Sequence, residues 1–366
     1  VYLNFIFQEE IAKILPKLLK NKGVLNVGGP IQTVYEFARK YNHSVKKVYS
    51  KNIKDVIYKK NMSMNISKLK KIINKWFKYY YLCNFVVSTV MSFKELPIMP
   101  DKKKSVLLFY PYVSKKTPNN VKNKLYGRWV GQGPMVDKFE NEFKKKFAKN
   151  SSAIATGSGT DSLHLAYILA GLKKGDEVIT TIFTCTATNI PMLYMGLKIK
   201  FADIEKETMN ISIDSVKKLI TKRTKAIVCV HYGGLPCDMD SLQKICKQKK
   251  ITLIEDAAHA LGAKYKKKSI GSISDFTTFS FQAIKHFTTG DGGMLTIKNK
   301  KLEAKAKRIR WFGIDRKKKQ KGIWKNDVYE VGYKYQMTDI SATMGCDALN
   351  DFSKIINHRK KIYNTY

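Results

Sequence analysis

From about residue 150 the chain alternates short runs rich in β-branched residues with stretches of helical periodicity, and few folds accommodate that rhythm. The runs are EVITTIF (177–183), LKIKFADI (197–204), KAIVCVHY (225–232), ITLIED (251–256), DFTTFSF (275–281) and GGMLTIK (292–298). Strands joined by crossover helices pair in parallel, so the pattern predicts an α/β fold: a mostly parallel central sheet with helices on both faces. Upstream, MVDKFENEFKKKF predicts a helix around 135–148, followed by an apolar stub and the small-residue turn Thr156-Gly-Ser-Gly-Thr160. The periodicity from Leu163 to Leu172 predicts the next helix.

The first ninety residues have another texture. Residues 1–75 alternate apolar runs with short basic helical stretches around the turn Gly28-Gly29-Pro30 and read as a small α/β fragment. Residues 76–90 read as a linker. Their apolar core, Tyr79 to Val90, is shorter than the roughly 20 residues a spanning helix needs, and it contains Asn84, so no membrane association is expected. A second unit starts near Met91, where Pro97, Pro100, Pro111 and Pro118 mark an extended entry, and is expected to run to residue 366. The opening VYLNFIFQEE shows no basic segment leading into an apolar stretch, so no secretory leader is read there. Six scattered cysteines (83, 185, 229, 237, 246, 346) without a CxxC pair predict neither a disulfide scaffold nor a metal site, and a cytoplasmic location.

Charge invites a nucleic-acid reading, with 68 Lys and Arg against 29 Asp and Glu, a net +39. The detail argues otherwise. Only seven of the basic residues are Arg, whose planar fork suits bidentate readout, and the excess is spread along the whole chain. No nucleic-acid partner is expected; attraction of an anionic small substrate remains compatible with the field. At 44% hydrophobic residues the chain is too apolar to be disordered.

In a parallel α/β sheet ligands sit at the carboxyl ends of strands, and three features fall there. Gly157-Ser158-Gly159-Thr160 opens a helix, where free N–H groups and the positive helix end favour phosphate. Asp256 ends the apolar run ITLIED, and Lys285 follows the strand DFTTFSF. Singly, each has a bland alternative: a helix cap, a turn residue, one lysine among many. Together, a phosphate seat, an acid and an amine are what pyridoxal 5′-phosphate requires: an anchor, an anion that keeps the pyridine nitrogen protonated, and an amine for the Schiff base.

The blocks GRWVGQGPMVDKFENEF, ATGSGTDSLHLA, TCTATNIPMLYMGLKIKFADI, VHYGGLPCDM, LIEDAAHALGA, SFQAIKHFTTGDGG and GYKYQMTDISATMG occur in the order expected of one family. Through them the region from about 125 to 366 resembles the DegT/DnrJ/StrS nucleotide-sugar aminotransferases. The resemblance implies the type I PLP-dependent aminotransferase fold, a homodimer, and a nucleotide-sugar substrate with an amino-acid donor. It implies Lys285 as the Schiff-base lysine, Asp256 at the pyridine nitrogen, and His259 beside the ring or its 3-hydroxyl. Gly159, Thr160 and Ser280 would hold the phosphate. Two positions depart from the family pattern: Cys185 stands where an aromatic residue often stacks on the cofactor, and Lys334 stands where an Asn reaches the neighbouring subunit's phosphate. The resemblance also reads the long helix ending at residue 366 as the lead into a C-terminal small domain that this sequence does not include.

The segments FIFQEEIAKILPKLLKNKGVLNVGGPIQTVYEFARK and SMNISKLKKI resemble the C-terminal end of dTDP-4-dehydrorhamnose reductase-like proteins. No GxxGxxG or YxxxK accompanies them, so no reduction is expected of this piece. The expected activity is transfer of an amino group, with L-glutamate as donor, to a nucleotide-linked keto-sugar for surface polysaccharide. The competing readings are a sugar dehydratase of the same fold, against which Lys285 speaks, and a non-catalytic regulatory or polyanion-binding protein.

Overall fold

The computed structural model describes residues 111–316, 318 and 328–365, all within the compact unit Asp101–Tyr366. The expectations for residues 1–75, the 76–90 linker and the start of the second unit at 91 lie outside the described residues.

Seven strands form one sheet: β1 (Ser152–Thr156), β2 (Glu177–Thr181), β3 (Lys198–Ala202), β4 (Thr224–Val230), β5 (Thr252–Asp256), β8 (Phe276–Ser280) and β9 (Gly293–Ile297). Their spatial order is β1-β9-β8-β5-β4-β2-β3, and β6 (Lys264–Tyr265) pairs with β7 (Lys268–Ser269) in a separate hairpin. The pairs β3–β2, β2–β4, β4–β5 and β5–β8 are parallel; β8–β9 and β9–β1 are antiparallel. Only β9 is therefore reversed, and β1 points the same way as the rest. The apolar stub of the sequence is this strand β1, too short to show alternation. Its carboxyl end delivers the turn 157–159 to the side where β5 delivers Asp256.

Eight α-helices connect and cover the described strands: α1 (Thr117–Leu125), α2 (Pro134–Phe147), α3 (Gly159–Leu169), α4 (Thr186–Tyr194), α5 (Ile213–Leu219), α6 (Met239–Lys249), α7 (Glu303–Ile309) and α8 (Asp339–Thr365). Pleat alternation splits the core into two layers. Ile179, Ile227, Leu253, Phe279 and Met294 face a layer closed by α2, α6 and α8, where Phe143 meets Phe147, Phe279 and Phe281 edge-on or tilted at 5.0–6.0 Å between centroids. Ile154, Val178, Val228, Ile254 and Leu295 face the other layer, closed by α3, α4 and α7. Interlocking aromatic pairs of this kind add about 0.5–1.5 kcal/mol each beyond their buried area.

The start of α8 is tied to the start of α2. Asp339 is fully buried, and its carboxylate accepts from the N–H groups of Gly133 (2.7 Å), Met135 (3.2 Å) and Val136 (3.1 Å). A carboxylate there satisfies the free first-turn donors and the positive helix end together. The blocks beginning GRWVGQGP and GYKYQMTDI, distant in sequence, thus meet at one cap.

Candidate active site

The pleat of β5 sets the site. Asp256 shares its face with Ile254, towards α3 and α4, while Glu255 shares the opposite face with Leu253. Asp256 is 5% exposed; its Oδ2 accepts from the Thr188 hydroxyl at 2.7 Å and its Oδ1 from the Ala258 N–H at 3.1 Å. Thr188 lies in α4, and its carbonyl accepts from the buried Tyr167 hydroxyl at 2.8 Å. Burial and the Asp256 charge hold that phenol well above its usual range, so it stays a donor. Sequence reading missed Thr188, because a threonine inside a helix carries no signal until its partner across the sheet is known.

Gly159 opens α3, and Ser158 caps it, its hydroxyl accepting from the Asp161 N–H at 3.0 Å. A Cβ on Gly159 would sit 2.9 Å from the Ser280 Cβ, so only glycine lets the helix start approach the end of β8 this closely. Gly159, Thr160 and Ser280 are thus brought to one cradle, with the Thr160 amide in the first turn of a helix. Asp161, in the same turn, is pushed up to about 6, chiefly by burial.

Lys285 is half-buried in the loop after β8, its N–H donating to the Gln282 carbonyl at 2.9 Å. His259 senses both expected partners: burial lowers its pKa, the Lys285 charge lowers it further, and the Asp256 charge opposes them. Its Nδ1 is buried without a hydrogen-bond partner. His286, next to Lys285, is pushed down to about 4 by burial and by Arg359, His259 and Lys285. Arg359 of α8 also reaches the Lys285 carbonyl at 3.4 Å. His259 thus lies within electrostatic reach of both Lys285 and Asp256, and His286 and Arg359 stand beside Lys285.

The two departures take definite places. Cys185 is the exposed N-cap residue of α4 and makes no side-chain cap bond. Lys334 is exposed, with its Nζ 5.2 Å from the Phe312 ring centroid and its backbone bridged to Trp311. Within one chain it joins none of the groups around Lys285.

A second polar cluster lies on the other face of β5. Cys229, His231 and Cys237 have donor atoms within 4.8 Å of one another. His231 Nε2 donates to Glu255 at 2.7 Å, its Nδ1 accepts from the Cys237 N–H at 3.1 Å, and the Cys237 thiol donates to the Val230 carbonyl at 3.2 Å. Both ring nitrogens are engaged. This is a satisfied core network.

The residues around Asp256 fit pyridoxal phosphate. The fit is physical: a cradle that a single Cβ would fill, a buried imidazole nitrogen lacking a partner, and a buried carboxylate held by two donors. Known proteins share the pattern. GDP-perosamine synthase of Escherichia coli O157:H7 is 35% identical over 266 residues, covering 72% of this chain and 71% of that protein. The spore coat polysaccharide biosynthesis protein SpsC of Bacillus subtilis is 36% identical over 260 residues, covering 70% and 67%. Among solved structures, Spr1654 of Streptococcus pneumoniae matches in its PMP form with a TM-score of 0.68 and in its PLP form with 0.67, at 28% identity. That alignment covers 71% of this chain, and 71% and 70% of the respective structures. Residues 111–366 match the DegT/DnrJ/EryC1/StrS aminotransferase family. With 70% of its length matched and the mostly parallel sheet in place, the chain belongs to that family.

Proposed function

We propose that the protein is a PLP-dependent aminotransferase that moves an amino group from an amino acid, L-glutamate in first place, to the ketone of a nucleotide-linked sugar destined for surface polysaccharide. It works as a cytoplasmic homodimer. The observation that best supports this reading is the half-buried His259, its Nδ1 buried without a partner, just beyond the strand end that carries Asp256 and within electrostatic reach of Lys285. The names of GDP-perosamine synthase and SpsC support the sugar and polysaccharide assignments. Among the described residues no helix is long and apolar enough to cross a membrane.

Bound in this site, pyridoxal phosphate supplies a ring that withdraws electrons from the carbon bearing the amino group. Gly159 and Thr160 bind the phosphate through backbone N–H groups, with the Ser280 hydroxyl beside them. Asp256, oriented by Thr188 and the Ala258 N–H, holds a proton on the ring nitrogen. His259, neutral because its pKa is depressed, orients the ring through a hydrogen bond. Lys285 would supply the amine that anchors the cofactor and the base that moves a proton at the reacting carbon. Lys334, exposed at the surface, would meet a neighbouring subunit's phosphate only as a point charge in place of the family's Asn.

Purified protein supplied with pyridoxal phosphate is expected to gain a band near the visible edge. L-glutamate should bleach it, and a nucleotide-linked keto-sugar should restore it. Failure to gain the band would contradict the reading. A band that glutamate bleaches and no keto-sugar restores would remove the sugar assignment alone.

A further inference from the structure

Three aromatic rings line the carboxyl ends of adjacent strands. Phe183 follows β2, Tyr232 follows β4 and His259 follows β5. Phe183 and Tyr232 lie 4.6 Å apart between centroids at 40°, and Tyr232 meets His259 edge-on at 6.3 Å. The row therefore leads outward from the ring that senses Lys285 and Asp256. Its outer members are 39% and 37% exposed, although large aromatic rings gain most from burial.

The row is held rigidly. The Tyr232 N–H donates to the Asn210 side-chain oxygen at 3.0 Å, and that asparagine in turn donates to the Leu235 carbonyl at 3.0 Å. Gly234 has φ +93°, and a Cβ there would strike the His259 carbonyl oxygen at 2.7 Å, so the loop is pressed onto the backbone that carries His259. Gly233, by contrast, has φ +59° and nothing within 4 Å of where its Cβ would be. The loop is clamped on the His259 side and open on the other. Phe183 is fixed from below by its N–H donating to the Thr181 hydroxyl at 3.0 Å.

We infer that Phe183 and Tyr232 form a stacking platform for the base of the nucleotide-linked substrate. The inference rests on the sugar-aminotransferase reading and deepens it. Placement at strand carboxyl ends is where this type of sheet receives ligands. The two exposed, preset rings offer a π-face that any base can use. Cys185 offers no such face on the same loop.

The test is calorimetric titration of the cofactor-loaded protein with GDP, UDP and dTDP, each compared with inorganic pyrophosphate, which has the charge but no base. The wild type should bind at least one nucleoside diphosphate about tenfold or more tighter than pyrophosphate. Tyr232→Ala and Phe183→Ala should erase that preference, and Tyr232→Phe should keep it, with the cofactor band intact in all three. A preference that survives both alanine variants, or a wild type that binds pyrophosphate as tightly as every nucleotide, overturns the platform. Neither result touches the glutamate-dependent bleaching of the cofactor, so failure here and failure of the transaminase reading are distinguishable. An Ala variant that loses the preference together with its visible band is scored against the platform too, because the rings then serve the cofactor.

Discussion

His231 and His259 follow neighbouring parallel strands, yet they live in opposite conditions. His231 is fully buried, with one nitrogen on Glu255 and the other receiving the Cys237 N–H. His259 is half-buried, with Nδ1 lacking any partner and two opposing charges acting on it. The carboxylates beside them are consecutive residues, Glu255 and Asp256, sent to opposite faces by the pleat of β5. One face completes its hydrogen bonds and holds the fold. The other leaves bonding capacity open and depends on a ligand to use it.

The sharpest way to break this contrast is to remove one group from each face. Lys285→Ala should abolish cofactor attachment and lower transaminase activity by about a thousandfold or more, while the melting temperature of the cofactor-free protein stays put. His231→Ala should do the reverse. It removes the donor to Oε2 of the completely buried Glu255, which keeps only the Ser274 N–H and the Thr277 hydroxyl on Oε1, and should cost about 1–3 kcal/mol in urea unfolding. The fraction still folded should keep a normal cofactor band.

The same asymmetry predicts pH dependence. His286 is held down to about 4, so the unfolded chain binds its proton more readily than the folded one. Its contribution to stability is present above the ordinary histidine range near 6.5 and is lost as pH falls towards 4. His286→Asn should flatten the urea-unfolding profile across that window, by up to about 3 kcal/mol. Asp161 has the opposite sign. Its raised pKa means that stability is present below the usual carboxylate range and lost as pH rises through about 6. Asp161→Asn should therefore stabilise the protein at pH 7 by roughly 1 kcal/mol after allowance for partial exposure. It should also tighten inorganic phosphate binding, since a negative charge leaves the cradle. The smallest effect is expected at Cys185. Cys185→Tyr restores a ring beside the cofactor and should lower the cofactor's dissociation constant by an amount worth about 0.5–1.5 kcal/mol.

The sheet and most of its strands were legible because each core strand is a short β-rich run bounded by turn residues. Strand β1 was not, since SAIAT is five residues with a single large side chain, and its partner β9 lies more than a hundred residues on. The candidate groups that the sequence suggested by their place at strand ends were the turn at Gly159 and Thr160, Asp256 and Lys285; Ser280 came only with the family resemblance. Those contributed from helices were not legible. Thr188 matters only because α4 packs over Asp256, and Arg359 only because α8 returns to the Lys285 loop. The Asp339 cap on α2 was hidden for the same reason: the two helix starts are some two hundred residues apart.

Borohydride reduction of the cofactor-loaded protein, followed by peptide mass mapping, tests the central claim most directly. The sequence offers 61 lysines, and the proposed site needs one of them, Lys285. The account predicts a single stable pyridoxyl adduct, on the peptide containing Lys285. An adduct on any other lysine, or none after full reduction, would contradict it.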